Sequence, residues 1–101
     1  MIEENYVRLY AADFVRMAQS AETRPLDPTA VPKRMEQARS HATVMDAAKG
    51  VGHLAALATR LRDEARRPSQ RHAAVLHSDA TAVERRHLFL NTIADALSVP
   101  A

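Results

Sequence analysis

Seven arginines form the strongest charge feature of this 101-residue chain: Arg60, Arg62, Arg66, Arg67 and Arg71, with Arg85 and Arg86 further along. A guanidinium fork holds a carboxylate or a phosphate through parallel N–H donors, so such a cluster suits an acidic protein surface or a nucleic-acid backbone. Asp63 and Glu64 stand inside the first group. Asp63 lies three residues before Arg66, as Glu36 does before Arg39, so helical neighbours take up part of the charge. The bias is regional. Residues 1–32 carry three basic and five acidic side chains, a net of −2, while residues 33–101 carry 11 and seven, a net of +4. These seven arginines are the candidate contacts to a partner protein or to nucleic acid.

The five histidines raise the question of a metal. Glu84-x-x-His87 has the spacing found in helical di-metal carboxylate sites, which gives a metal-binding alternative. Such a site needs a second Glu-x-x-His and two further Glu, and no second Glu-x-x-His exists in the chain. His72 and His77 stand five apart, which does not stack two imidazoles on one helix face. The histidines are therefore read as ordinary surface or boundary residues, with His53 near the start of a helix, and no metal or cofactor is expected. Covalent catalysis has less support. The chain has no Cys and no Gly-x-Ser-x-Gly, and Gly50-Val51-Gly52 lacks the third glycine of a dinucleotide loop. No catalytic residue is assigned, and the expectation is a protein without enzymatic activity.

The elements that position these groups are helices. In the first segment the apolar residues Ile2, Tyr6, Leu9/Tyr10, Phe14, Met17/Ala18 and Ala21 recur at steps of three and four, which predicts a helix from Ile2 to about Thr23. Arg24 to Pro32 contains three prolines and reads as a linker, with Leu26 and Val31 as possible anchors. A second helix is predicted from the region Thr29–Lys33 to Lys49, with a narrow seam of Val31, Met35, Ala38, Ala42 and Met45. Two close glycines weaken a helix interior by about 1 kcal/mol each, so Gly50 is read as the residue that ends it. A third helix then runs from about Val51 to Arg66; the alternative is one kinked helix over 33–66. Residues 70–77 read as a short helix. Thr81-x-x-Glu84 fits a capping box that starts a final helix at Ala82 and carries it to Leu97. Leu88-Phe89-Leu90 is apolar at consecutive positions, so this last helix is expected to be covered on more than one face.

The fold class is therefore all-α: a bundle of four to five helices in one domain spanning 1–101, with the linker at 24–32. The composition agrees. Twenty of the 47 hydrophobic residues are Ala, and two Phe, two Tyr and no Trp supply the aromatics. Ala-rich seams allow close helix contact but bury little area per residue, whereas sheets favour β-branched and aromatic side chains. A core of this kind is marginal for a monomer, so a homodimer or a complex with another protein is expected. No apolar run reaches the length of a membrane span, and the acidic start, Glu3-Glu4, does not resemble a secretory leader. The expected location is the cytoplasm of a bacterium, or an origin in its phage or plasmids.

The function expected from these features is a small non-enzymatic interaction module: an adaptor, regulator, chaperone-like factor or inhibitor. It docks through an apolar helix face or through Arg-rich helix ends. The alternative is a DNA-binding regulator that uses residues 33–66 as a helix-turn-helix. Against that alternative, the second helix would open with Val51-Gly52-His53-Leu54-Ala55-Ala56, which offers almost nothing that hydrogen-bonds to base edges.

Overall fold

The computed structural model describes residues 1–66 and 80–98, and within them every regular element is a helix. The helices are α1 (Glu4–Thr23), α2 (Ala30–Lys49), α3 (His53–Arg66) and α4 (Ala80–Ser98). None is long and apolar enough to cross a membrane, among the described residues. The short helix expected over 70–77 lies outside them.

α1 forms where its periodicity predicts, and its buried residues are Tyr6, Val7, Tyr10, Ala11, Phe14 and Ala18. The Glu3 side chain accepts from the Asn5 amide at its start, and the Arg24 amide closes its end on the Ser20 carbonyl. Leu9 departs from the expected stripe and is 50% exposed, because Val7 and Ala11 take the second buried row instead. The linker after α1 is organised by Asp27. Its Oδ1 accepts from the Thr29 amide (2.8 Å) and from the Thr29 hydroxyl (2.7 Å). This local turn leads into α2, whose first turn contains Pro32, where a missing N–H costs nothing.

α2 and α3 are separate helices. α2 stops at Lys49 because Gly50 takes φ +117° and Gly52 takes φ +109°, a region that side chains with a Cβ rarely enter. A Cβ on Gly50 would also sit 3.0 Å from the Met1 nitrogen. The third helix begins two residues later than the expected Val51, at His53, because both glycines belong to the turn.

α3 is the central helix. It packs most extensively against α4 and then against α1, while α2 lies at the margin. It contributes Leu57, Ala58, Leu61 and Ala65 to a core completed by Leu90, Ile93, Ala94 and Leu97 of α4. α2 buries only Ala38 and Ala42 fully, the middle of its expected seam, with Val31, Met35 and Met45 partly covered. Small residues there let α2 approach closely enough for polar ties. The Tyr6 hydroxyl donates to the Ala38 carbonyl (2.8 Å), and Arg39 Nη2 donates to the Ala96 carbonyl in the last turn of α4 (3.0 Å). A cation at a helix C-terminus is favourably placed. α4 starts earlier than expected, so Thr81 falls inside its first turn rather than ahead of it.

Candidate functional site

Two groups of residues are candidates for function: a polar cluster inside the bundle and a pair of surface hollows along α4. The inner cluster is built on the α2–α3 turn. That turn carries Asp46 back to the first residue of α3, where Oδ1 accepts from the His53 amide (3.1 Å) and lies 2.8 Å from His53 Nδ1. The other ring nitrogen, Nε2, accepts from the Glu3 amide (2.9 Å). A nitrogen that accepts from an amide carries no proton, so the proton sits on Nδ1 and is donated to Asp46. The ring packs edge-on to Tyr6 at 5.7 Å, and Tyr6 in turn meets Tyr10 at 5.0 Å and His41 at 5.2 Å. The Tyr10 hydroxyl lies 3.1 Å from His41 Nδ1, and Arg34 covers the Tyr10 ring at 4.8 Å while pairing with Asp13.

A carboxylate against Nδ1 is the arrangement of a general-base dyad, in which Nε2 does the chemistry. Here Nε2 already has the Glu3 amide and His53 is fully buried, so the dyad is closed to any substrate. It acts as a clamp that ties the entry of α1 to the start of α3. The histidine expected at a boundary is thus a core residue, at the head of the buried row His53, Leu57, Leu61 and Ala65.

The clamp sets a pH window for stability. The His53 amide, with the His53 ring and the Gly52 amide, holds the Asp46 carboxyl below the usual carboxylate range, and the Thr29 amide and hydroxyl do the same to Asp27. Burial, helped by Tyr10 and Asp46, pushes the Tyr6 hydroxyl well above its ordinary value. The depressed carboxyls contribute stability that is present above their unfolded value of 3.8 and lost as pH falls through their folded values. The raised phenol contributes stability that is intact below its unfolded value of 10.0 and lost as pH climbs beyond it. Urea midpoints measured across pH should therefore hold a plateau from about 5 to about 9.5 and fall on both sides. Tyr6→Phe should flatten the alkaline fall, and Asp46→Asn the acid one. An alkaline limb unchanged in Tyr6→Phe would refute the assignment.

The arginines separate. Arg60 pairs with Glu64 (3.1 Å) and lines a hollow between α1 and α3 together with Arg8 and Arg16. Those two are also engaged, Arg8 with Asn5 and Arg16 with Asp13. Arg62 turns to α4 and meets Asp95 (3.0 Å) and Ser98 (3.3 Å). Arg66 is exposed at the end of α3, and Arg67 and Arg71 lie outside the described residues. Arg85 is exposed, whereas its neighbour Arg86 is only 4% exposed. The structure thus brings Arg85 and Arg86 to one place and sends Arg60 and Arg62 to two others. Of the metal-spacing pair, His87 faces the Ala65 carbonyl through Nδ1 (3.3 Å). Among the described residues, no three of His, Asp and Glu converge on one point.

Along α4, Val31 of α2 and Arg85, Leu88, Phe89, Thr92 and Ile93 line an apolar hollow of about 410 Å³. Leu88 is 68% exposed at its edge. On the other side of the same helix, Ala18, Ala21 and Glu22 of α1 and Arg85, Arg86 and Phe89 line a smaller pocket of about 150 Å³. Arg85 and Phe89 form the ridge between the two. Sequence reasoning named the arginines and the apolar run Leu88-Phe89-Leu90, but missed Glu22 and the exposed position of Leu88. The three consecutive apolar residues 88–90 held the signal, since adjacent helical positions point about 100° apart and one of three must face away from the core. Comparison of the chain with protein-family profiles, with curated proteins and with solved structures finds no match.

Proposed function

We propose that this chain is a non-enzymatic protein-interaction module whose docking surface is the hollow between the start of α2 and the outer face of α4. The observation that carries this reading is Leu88, a large apolar side chain left 68% exposed at the edge of an apolar hollow that it lines with Phe89 and Val31. The opposite side of α4, with Leu90, Ala94 and Leu97, already fills the core, so the Leu88 side is a second apolar face, which among the described residues only Val31 of α2 borders from another helix. An apolar groove of this shape accommodates the apolar side of an amphipathic helix. The exposed guanidinium of Arg85 at its rim adds charge complementarity to an acidic flank on that helix. An exposed apolar residue, Leu88, and an exposed arginine, Arg85, thus stand together on this one helix.

The occupant of this reading is an acidic amphipathic helix of another protein. The chain is to be expressed with an affinity tag in its source cell as wild type, Leu88→Asp and Leu9→Asp. The two leucines are comparably exposed, so neither change disturbs the core. The same stoichiometric partner should accompany the wild type and Leu9→Asp and be lost from Leu88→Asp. Equal recovery with Leu88→Asp would remove the reading. A homodimer in light scattering that dissociates in Leu88→Asp would assign the groove to a second copy of the chain.

A further inference from the structure

Among the described residues, two strongly polar side chains are buried at the heads of core rows, and they are treated differently. His53 heads the row of α3 and has every ring nitrogen bonded. Arg86 heads the row of α4, at the spacing Arg86, Leu90, Ile93, Leu97, and is 4% exposed. Its Nε and Nη1 are buried and have no hydrogen-bond partner among the described residues. Buried arginine is rare unless paired, because a desolvated cation without an acceptor is strongly unfavourable. A buried guanidinium with two N–H donors that bond to nothing among the described residues marks a place that a ligand completes.

The surroundings say which ligand. Arg86 lines the 150 Å³ pocket between the end of α1 and α4. The walls are apolar at Ala18, Ala21 and Phe89, and the charged members are Arg85, Arg86 and Glu22. Among the described residues, two guanidiniums against one carboxylate leave one net positive charge at the pocket, which favours an anion. A carboxylate suits the guanidinium geometry, and an apolar stem suits the alanines and the phenyl ring. A cavity of about 150 Å³ holds a ligand the size of benzene. That is roughly six heavy atoms, the size of a four-carbon acid or of a glutamate side chain.

We infer that the α1–α4 pocket is a carboxylate-binding site anchored by Arg86, for an acid on a short apolar stem. The site stands apart from the α2–α4 groove, with which it shares only Arg85 and Phe89. The acid can be a free short-chain carboxylate or a glutamate side chain presented by a protein, and both offer the same group to Arg86.

The test uses the full-length ¹⁵N-labelled protein at fixed ionic strength, titrated with sodium butyrate and, separately, with N-acetyl-glutamate α-amide. Butyramide and N-acetyl-glutamine α-amide are the uncharged controls. Both acids should give saturable shifts at Ala18, Ala21 and the Arg86 Nε–H, with Kd on the order of 1 mM, and the controls none. Arg86→Met should weaken both acids at least tenfold while keeping the amide spectrum of the fold. Arg86→Lys, which keeps the charge but not the fork, should fall between. Leu88→Asp should bind both acids as the wild type does, so failure of the docking reading and failure of this one are separable. Tighter binding of butyrate assigns the free acid as the natural ligand, and tighter binding of the glutamate mimic assigns a protein side chain; either supports the site. Shifts that do not saturate by tens of millimolar, or equal binding by Arg86→Met, would overturn it.

Discussion

His53→Ala is expected to lower the unfolding free energy by about 3–5 kcal/mol, a large share of what a domain of this size possesses. Two costs add. The fully buried ring leaves a cavity lined by Tyr6 and the neighbouring core, and large-to-small changes at such sites cost about 2–5 kcal/mol. The Glu3 amide also loses its acceptor in a half-covered position, which costs about 1–3 kcal/mol when water does not replace it. The loss spreads because the imidazole joins segments 50 residues apart in sequence. With the ring gone, Asp46 keeps only the backbone side of its interaction with α3, and the entry of α1 is no longer held there. His53→Leu separates the two costs: it restores apolar volume and leaves the unpaired amide, so the expected loss is about 1–3 kcal/mol. Urea denaturation followed by circular dichroism reads both. A loss below about 1 kcal/mol in His53→Ala would mean that the clamp contributes little beyond surface contacts.

The clamp also shows where sequence reading stops. Periodicity located α1 and the seam of α2, because those patterns repeat within one helix and need no knowledge of the partner. Gly50 located the end of α2, whereas Gly52 read as part of the third helix and belongs to the turn, where both glycines take positive φ. The Asp46–His53 interaction has no such local signature. It spans seven residues across a turn, and its second half comes from a backbone amide at position 3, whose identity carries no side-chain signal. His53 itself was legible as the head of a four-residue-spaced row, but a polar head reads as a boundary until the chain that covers it is known. Arg86 presents the same ambiguity. Counted with its neighbours in the charge cluster it is a surface cation; counted back from Leu97, Ile93 and Leu90 it is a core position. The structure decides for the core, and this moves the arginine from the candidate docking surface to the wall of a pocket.

That position reverses the usual sign of a core substitution. Arg86→Met is expected to stabilise the protein by about 1–4 kcal/mol, whereas most changes at buried sites destabilise. Methionine keeps the length and flexibility of the arginine stem and packs against Leu90, Phe89 and Ala18 without a charge to desolvate. Replacing buried charges with apolar residues of similar volume is neutral or favourable even where the charges are paired, and Nε and Nη1 of Arg86 have no hydrogen-bond partner among the described residues. Arg86→Ala should gain less, since part of the benefit goes to an unfilled cavity. The comparison becomes decisive with ligand present. A carboxylate that binds only the folded state at ten times its Kd adds about 1.4 kcal/mol, so saturating butyrate should raise the melting temperature of the wild type and leave Arg86→Met unmoved. A wild type that is more stable than Arg86→Met without any added acid would mean that the guanidinium is already compensated within the chain, and the pocket would then be a piece of the fold.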